Sequence, residues 1–298
     1  MKIIILGYNS FVGSAVLHYF NSMCGVELVR IGRKDSDLHK IIKFEVANDM
    51  VSLDNDVSNL ISSLDLDHDS VLINCISMGD VDKCEVDKES CRMQNYQFVE
   101  TLYKHLRNNN FKKIIHFSTS MVYDGGNAPY GEMSNCSPVN FYGLMKLKAD
   151  EFLLNQKDPR VIVVRPITIY GKPQSDGRSN PVSMIIEKIQ SGHALKLVDD
   201  VFVNILYIGD LIKTIEKLIS IDFSGLINVS GNEAYSRYEL GLEIVKLLRI
   251  EEYSIKPVAL AEFGTIAERP LNTSFNNALM KEIGVCPRAL SQTISDFL

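Results

Sequence analysis

The sequence lacks any dense cluster of positive charge. Its 298 residues include 31 lysines and arginines against 37 aspartates and glutamates, so the net charge is −6, and the pI is about 5.6. The longest basic runs are only two residues, at 33–34 and 112–113. Because binding to a nucleic-acid backbone requires clustered positive charge, no nucleic-acid partner is expected.

Paired cysteine motifs and long apolar runs are also missing. None of the six cysteines is spaced as C-x-x-C or lies near a histidine pair at zinc-ligand spacing, so we expect reduced thiols and no metal site. No apolar stretch reaches the roughly 18 residues of a membrane-spanning helix. The first apolar run ends at Gly7, which is too early for a signal peptide. These absences predict a cytoplasmic protein with no membrane partner.

Short apolar strands alternate with amphipathic helices through the first half of the chain. This alternation predicts a parallel sheet covered on both faces, which is the doubly wound α/β architecture of the Rossmann fold. Strands are predicted at 2–6, 26–31, 41–46, 71–75, 114–118 and 161–165, and helices at 11–20, 57–64, 89–106 and 141–154.

The composition of the sequence changes after Tyr170, where a polar segment rich in glycine and proline predicts an exposed loop. A helix at 182–190 follows, and then segments 205–208 and 226–229 are expected to return to the first sheet. The predicted Rossmann domain covers 1–170 plus about 204–232, and a small C-terminal α/β substrate-binding cap covers about 171–203 and 233–298.

The first strand-to-helix junction, GYNSFVG, is glycine-rich. Gly7 permits a tight turn and Gly13 permits close helix–strand packing, with Ser10, Phe11 and Val12 between them. Such a turn lets backbone N–H groups and a helix N-terminus approach a pyrophosphate. A junction with no ligand is the alternative, but the position in the first βα unit favours a dinucleotide site.

Positive charge follows the second strand. Gly32 stands where a carboxylate would hold the adenine ribose of NAD, and Arg33 and Lys34 come next. These cations favour the 2′-phosphate of NADP, although NAD is possible and a solvated basic turn is the alternative.

Hydroxyl, phenol and amine groups are arranged for proton transfer. Thr119 and Ser120 follow the fifth strand, and Tyr142 and Lys146 are spaced i, i+4 on the next predicted helix, so they share a face. A nearby ammonium and an oxidised nicotinamide would stabilise the phenolate and bring tyrosine into the range of efficient acid–base catalysis. A surface tyrosine with a solvated lysine is the alternative.

Several segments, taken in order, resemble the extended short-chain dehydrogenases/reductases, and most of all the dTDP-4-dehydrorhamnose reductase group. The resemblance covers essentially the whole chain and is carried by LINCIS, VDKCEVDKES, HFSTSMVYDG, PYGE, SPVNFYGLMKLKADEFL, VVRPITIYG and ERPLNTSF. It implies an NAD(P)H-dependent oxidoreductase that reduces a keto group on a nucleotide-linked sugar, an NDP-4-keto-6-deoxyhexose. The expected partner is therefore a nucleotide sugar, and a homodimer is a possible assembly.

The resemblance also implies roles for individual residues. Tyr142 would donate the proton, Lys146 would hold the ribose and tune Tyr142, and Thr119 would bind the substrate carbonyl. The other implied cofactor residues are Cys75, Ile76 and Ser77, which would line the site, Asn95, which would order a proton path, and Pro166 and Ile167, which would flank the nicotinamide. The other candidate substrate residues are Ser120, Thr168, Asn180 and Arg269, the last with a surface salt bridge as the alternative.

Some positions depart from the family pattern. Met121 and Thr168 stand where rhamnose-forming reductases place aromatic side chains, which leaves the particular sugar open. The segment Thr119-Ser120-Met121 lacks both carboxylates of the related dehydratases and argues against dehydration. A sugar-nucleotide epimerase and a noncatalytic NAD(P)-binding regulatory subunit remain the alternatives. His116 is expected to be a satisfied core histidine, and Glu132 to order the loop after the fifth strand.

Overall fold

A computed structural model of the chain describes residues 1–33, 41–172 and 180–297. In this part of the chain, seven parallel strands form one sheet, and their order across it is 225–229, 161–166, 113–117, 70–74, 2–6, 27–32 and 41–43. The strands of this sheet are β1 Lys2–Leu6, β2 Glu27–Gly32, β3 Ile41–Lys43, β4 Ser70–Asn74, β5 Lys113–Phe117, β6 Val161–Pro166 and β11 Gly225–Val229. The fold is the expected Rossmann-like α/β architecture.

The helices pack on both faces of this sheet and extend into the C-terminal region. In the described residues they are α1 Phe11–Asn21, α2 Met50–Ser63, α3 Val81–Val86, α4 Lys88–Arg92, α5 Phe98–Leu106, α6 Phe141–Asn155, α7 Pro181–Gln190, α8 Ile208–Ser220, α9 Arg237–Leu248, α10 Ala278–Glu282 and α11 Leu290–Thr293. Shorter segments are a π-helical turn at Met93–Gln97 and 3₁₀ turns at Ser120–Val122, Leu260–Phe263 and Ile294–Phe297.

The central strand β1 is buried on both faces. Ile3 and Ile5 belong to one buried apolar cluster, whereas Ile4 and Leu6 belong to another, as the alternation of side chains along a strand requires. Each of these four side chains is at most 1% exposed. Strand order reverses beside β1, and the crevice beyond the carboxyl ends of such strands is where ligands of open α/β sheets bind.

Among the described residues, three two-stranded sheets lie outside the main sheet. Their remaining strands are β7 Ile169–Tyr170, β8 Leu195–Val198, β9 Val203–Asn204, β10 Leu206–Tyr207, β12 Ala234–Tyr235 and β13 Ile255–Val258. They pair as β10 with β7, β12 with β9, and β13 with β8. Ile185 of α7 and Ile244 of α9 share the apolar cluster that contains Ile5.

The prediction that segment 205–208 returns to the main sheet is wrong. Leu206 and Tyr207 pair only with the two residues of β7, and α8 begins at the next residue, Ile208, so the strand has no length with which to reach the main sheet. Segment 226–229 does join that sheet, beside β6. The predicted helix 89–106 is also interrupted by the π-helical turn at 93–97.

The structure also bears on the predictions about membrane spans, cysteines and metal sites. No helix in the described ranges combines the length and apolarity that crossing a membrane would take. The six cysteines are all free thiols, and the described residues contain no group of metal-ligating side chains.

Candidate functional site

A cavity of about 590 Å³ opens at the carboxyl ends of the main strands. Its walls come from the turn after β1 and from the ends of β2, β4, β5 and β6. Most of the residues predicted for cofactor and carbonyl binding line it: Gly7, Ser10, Phe11, Val12, Arg33, Cys75, Ile76, Ser77, Thr119, Ser120, Tyr142, Pro166, Ile167 and Thr168. Segments far apart in the sequence are thus brought together at one edge of the sheet.

The turn after β1 leaves no room for side chains at two glycines. Gly7 has φ +78°, and a Cβ there would lie 3.0 Å from the backbone of Cys75. A Cβ at Gly13 would lie only 2.2 Å from the carbonyl oxygen of Gly7. Ser10 caps α1, its hydroxyl accepting from the Gly13 N–H at 3.0 Å. The turn therefore presents bare backbone and a capped helix N-terminus to the cavity.

The end of β2 carries an exposed positive charge. Arg33 lines the cavity, and its guanidinium lies 3.9 Å from the Glu45 carboxylate, with both side chains 71% exposed. A Cβ at Gly32 would lie 2.9 Å from the Tyr8 ring, so a larger residue there would meet that ring. Lys34, the other predicted cation, lies outside the described residues.

Helix α6 brings Tyr142 to the cavity across from this end. Asn140 caps the helix by accepting from the Gly143 N–H at 2.8 Å. A Cβ at Gly143 would lie 2.1 Å from the carbonyl oxygen of Met121, so the glycine allows α6 to pack directly against the segment that carries Thr119. Thr119 caps its own 3₁₀ turn by accepting from the Met121 N–H at 3.2 Å.

Burial controls the pKa of the tyrosine. The phenol of Tyr142 is 9% exposed, and this burial raises its pKa to about 12, with the Thr119 and Ser77 hydroxyls acting in the opposite direction. The burial of Tyr142 therefore outweighs any lowering of its pKa by the charge of Lys146, contrary to the expectation from the sequence. Burial lowers the pKa of Lys146 to about 8, against the opposing effects of Asp150, Cys91 and Cys75.

Lys146 lies behind the cavity wall rather than on it. Its Nζ donates to the Phe117 carbonyl at 2.5 Å and lies 3.3 Å from Nε2 of His116. His116 is 1% exposed and also contacts Asn74, so it is a partnered core histidine, as expected. The lysine is thus fixed by β5 at two points.

A buried ion pair behind Lys146 was missed from the sequence. The Asp150 carboxylate accepts from Arg165 Nε at 2.9 Å and from the Ser118 hydroxyl at 2.7 Å, and Arg165 also donates to Tyr123 Oη at 2.9 Å. The two charged side chains are 0% and 3% exposed. An aspartate four residues after Lys146 and an arginine inside an apolar strand were the available signals.

Asn95 also lies outside the cavity lining. It is fully buried in the π-helical turn, where Oδ1 accepts from the Ser77 hydroxyl at 2.8 Å and from the Met78 N–H at 3.0 Å. Its Nδ2 donates to the Met78 carbonyl at 3.1 Å. Asn95 therefore fixes the loop that presents Ser77 to the cavity.

The two predicted nucleotide-end residues have protein partners. Asn180 is buried, caps α7 by accepting from the Ser183 N–H at 3.1 Å, and donates to the Gly171 carbonyl at 2.6 Å. Arg269 lies 3.0 Å from the Asp82 carboxylate and donates to the Ala267 carbonyl. Neither side chain lines the cavity, and their substrate roles stay predictions.

Glu132 connects the loop after β5 to the edge of the main sheet. Its Oε1 accepts from the backbone N–H of Asn228 at 2.9 Å. This contact agrees with the structural role expected for it.

Comparisons with known proteins find one matching family and several similar proteins. A family model described as the RmlD substrate binding domain matches residues 1–298. The chain is 25% identical over 238 residues to a probable dTDP-4,6-dihydroxy-2-methyloxan-3-one 4-ketoreductase of Streptomyces antibioticus, covering 76% of this chain and 78% of that protein. It is 24% identical over 221 residues to the methionine adenosyltransferase 2 subunit beta of Danio rerio, covering 72% and 67%.

A solved structure has a similar fold over nearly the whole chain. The crystal structure of the dTDP-4-dehydrorhamnose reductase of Bacillus anthracis in complex with NADP superimposes with a TM-score of 0.79 at 22% identity. The match covers 99% of this chain and 98% of that protein.

Proposed function

This chain belongs to the family described as the RmlD substrate binding domain, and on that premise we propose that it is an NADPH-dependent reductase of a nucleotide-linked keto sugar. The observation that carries the proposal is that Tyr142 and Thr119 line the same cavity as the glycine turn. A phenol that can donate a proton and a turn that suits a pyrophosphate thus open into the same space.

The residues of the cavity fit a dinucleotide. The bare backbone at Gly7 and the capped N-terminus of α1 suit a pyrophosphate, since N–H groups and the helix dipole favour an anion there. Arg33 suits a 2′-phosphate, which favours NADP over NAD. The related reductase of Bacillus anthracis is described in complex with NADP.

A bound NADPH would supply the hydride. Thr119 would hold the sugar carbonyl by its hydroxyl, and Tyr142 would donate the proton that the reduced oxygen needs. A neutral phenol suits this role, because burial keeps the proton on Tyr142 until the carbonyl oxygen gains negative charge. Lys146 would stabilise the phenolate after the transfer. It would hold the nicotinamide ribose only by moving toward the cavity from its present contacts with Phe117 and His116.

We propose that residues 171–203 and 233–298 form the sugar-binding cap, with residues 1–170 and 204–232 as the cofactor domain. The ion pair of Arg269 with Asp82 joins the C-terminal segment to α3 beside the cavity. Asn180 and Arg269 would reach a nucleotide only after giving up their present partners. The free thiols are consistent with work in the cytoplasm.

A noncatalytic regulatory subunit is the second candidate, because the chain is also similar to methionine adenosyltransferase 2 subunit beta. That function needs no proton donor in the cavity, whereas Tyr142 and Thr119 are both present there. We therefore favour the reductase.

The test is NADPH oxidation, followed by absorbance, with a panel of NDP-4-keto-6-deoxy sugars. The reductase is expected to oxidise NADPH in step with loss of the keto sugar. Dinucleotide binding without turnover of any sugar would favour the regulatory subunit. A tightly retained dinucleotide with no net oxidation would favour an epimerase.

A further inference from the structure

His116 lies on β5 beneath α6, outside the cavity lining. Its Nδ1 lies 3.2 Å from Nδ2 of Asn74 at the end of β4, and its Nε2 lies 3.3 Å from Nζ of Lys146. All three side chains are at most 1% exposed. The imidazole ring therefore bridges the neighbouring strand and the helix that carries Tyr142.

The backbone determines which way the Asn74 amide points. The N–H of Ile76 can only donate, and it donates to Asn74 Oδ1 at 3.1 Å. The amide atom that faces the ring is therefore Nδ2, which is also only a donor, so Nδ1 of His116 must accept. In a neutral imidazole the single proton then lies on Nε2.

This tautomer restricts the state of Lys146. An Nε2–H group needs an acceptor, and a lysine offers a lone pair only as the uncharged amine. The amine can accept from Nε2 and still donate to the Phe117 carbonyl. An ammonium would face a second donor across 3.3 Å.

The ammonium becomes compatible only if the network rearranges. The ring proton would have to move to Nδ1, and the Asn74 amide would have to turn over to accept it, which deprives the Ile76 N–H of its acceptor. A charged ring offers no alternative, because burial and the adjacent Lys146 hold the pKa of His116 well below its usual value.

We propose that His116 is a positioning residue for Lys146: held by Asn74, its Nε2–H group stabilises the uncharged amine and so sets the pH at which this side chain becomes an ammonium. The proposal rests on the proposed function, in which the ammonium of Lys146 holds the cofactor ribose. Without this role, His116 would be only a buried structural residue of β5.

Four other titratable groups of the described residues surround Lys146. They are Tyr142 and Asp150 on its own helix, Cys91 on α4 and Cys75 after β4. The Asp150 carboxylate is already bonded to Ser118 and Arg165. Burial raises the pKa of Tyr142 to about 12, so the phenol does not titrate near that of Lys146, which burial lowers to about 8.

The test measures NADPH affinity by fluorescence between pH 6.5 and 9.5, with no sugar present. If binding favours the ammonium, native affinity should weaken as pH rises through about 8. His116→Gln replaces the Nε2–H donor by an amide whose oxygen can accept from an ammonium, so the weakening should begin at higher pH. With a shift of about one unit, the loss of affinity between pH 7 and 9 should be about fivefold smaller than in the native protein.

A second variant acts from the far side of the ring. In Asn74→Asp, one carboxylate oxygen can accept from the Ile76 N–H and the other from Nδ1–H, which moves the ring proton to Nδ1 and leaves Nε2 an acceptor. The pH profile should shift in the same direction as in His116→Gln. Because Asn74→Asp also adds a negative charge to the network, which by itself favours the ammonium of Lys146, it supports the role of His116 only together with a neutral substitution. If His116→Gln does not fold, His116→Met, which removes the Nε2–H donor without adding charge, takes its place.

Two further variants control for packing and assignment. Ile114→Val trims a buried side chain two residues earlier on the same face of β5 and should leave the pH profile in place. Lys146→Met should remove the pH dependence altogether, which identifies the titrating group. If NADPH binding weakens at the same pH in the native protein, His116→Gln and Asn74→Asp, the role of His116 is overturned, but the proposed function is not. A native protein that binds no dinucleotide at any pH would overturn the proposed function and, with it, this role.

Discussion

The two sides of the cavity hold their charged groups in opposite ways. Beyond β2, Arg33 and Glu45 are 71% exposed and 3.9 Å apart, whereas beyond β5 Tyr142 and Lys146 are buried and Lys146 is fixed by two contacts. Solvent screens the first pair, so the ion pair contributes only about 0–1 kcal/mol to stability. Burial shifts the pKa values of the second pair. For the proposed reductase, we therefore expect cofactor choice to be adjustable on the exposed side and the chemistry to depend on the buried side.

The largest effect is expected from Tyr142→Phe, which removes the phenolic proton donor and keeps the ring. Turnover of an NDP-4-keto sugar should fall by about 10²–10⁴-fold, the usual contribution of general acid–base catalysis, while NADPH binding persists. Steady-state kinetics and fluorescence titration measure the two quantities.

Tyr103→Phe is the matched control for this variant. Tyr103 is also a buried tyrosine, but its hydroxyl donates to Asp158 at 2.9 Å, outside the cavity. Its loss should affect stability and leave turnover near the native value. Native-level reduction by Tyr142→Phe would mean that another group donates the proton.

Breaking the buried ion pair should cost the most stability. Arg165→Met leaves the Asp150 carboxylate without its charged partner at 0% exposure, and removing one member of a buried pair costs about 3–5 kcal/mol. Urea unfolding should show this loss, and the double variant Arg165→Met with Asp150→Asn should recover part of it. Equal stability of the native protein and the single variant would contradict the account of this pair.

Gly7→Val should lower dinucleotide affinity by at least about a hundredfold. The branched side chain would meet the Cys75 backbone and cover the bare turn. Gly25→Val is the control for backbone strain alone. Gly25 has φ +77°, almost the same as Gly7, but open space where its Cβ would be. Unchanged NADPH binding by a folded Gly7→Val protein would exclude this turn as the phosphate site.

The smallest effect is expected on the exposed side. Arg33→Asp should narrow or reverse the preference for NADPH over NADH, by roughly fivefold if the charge is worth about 1 kcal/mol. Arg107→Asp, an exposed arginine after α5 and outside the cavity lining, makes the same change in net charge and should leave the preference alone. If the native protein binds NADPH and NADH with equal affinity and Arg33→Asp does not change this, the proposed preference for NADP is wrong.

The sequence pattern predicted the main strands, the glycine turn and the positions of Thr119 and Tyr142 at the cavity, because each depends on local periodicity or on motif order. It also placed Lys146 there, whereas the structure holds Lys146 behind the cavity wall against β5. Contacts between distant segments were harder. The pairing of Arg165 with Asp150 depends on how α6 packs over β6, and the bridge from Asn74 to Lys146 depends on the register of β4 beside β5. Local propensity also placed 205–208 in the wrong sheet, because a two-residue strand carries no information about its partner.

The most direct test of the proposed reductase is an isotope-transfer experiment. NADPH is labelled with deuterium at the position that supplies the hydride, and the label is then sought in the sugar product. Mass spectrometry and NMR of the sugar product should find the label on the former keto carbon with native protein, and almost none with Tyr142→Phe in the same time. A native protein that binds NADPH but leaves every NDP-4-keto sugar unlabelled would contradict the proposed reductase.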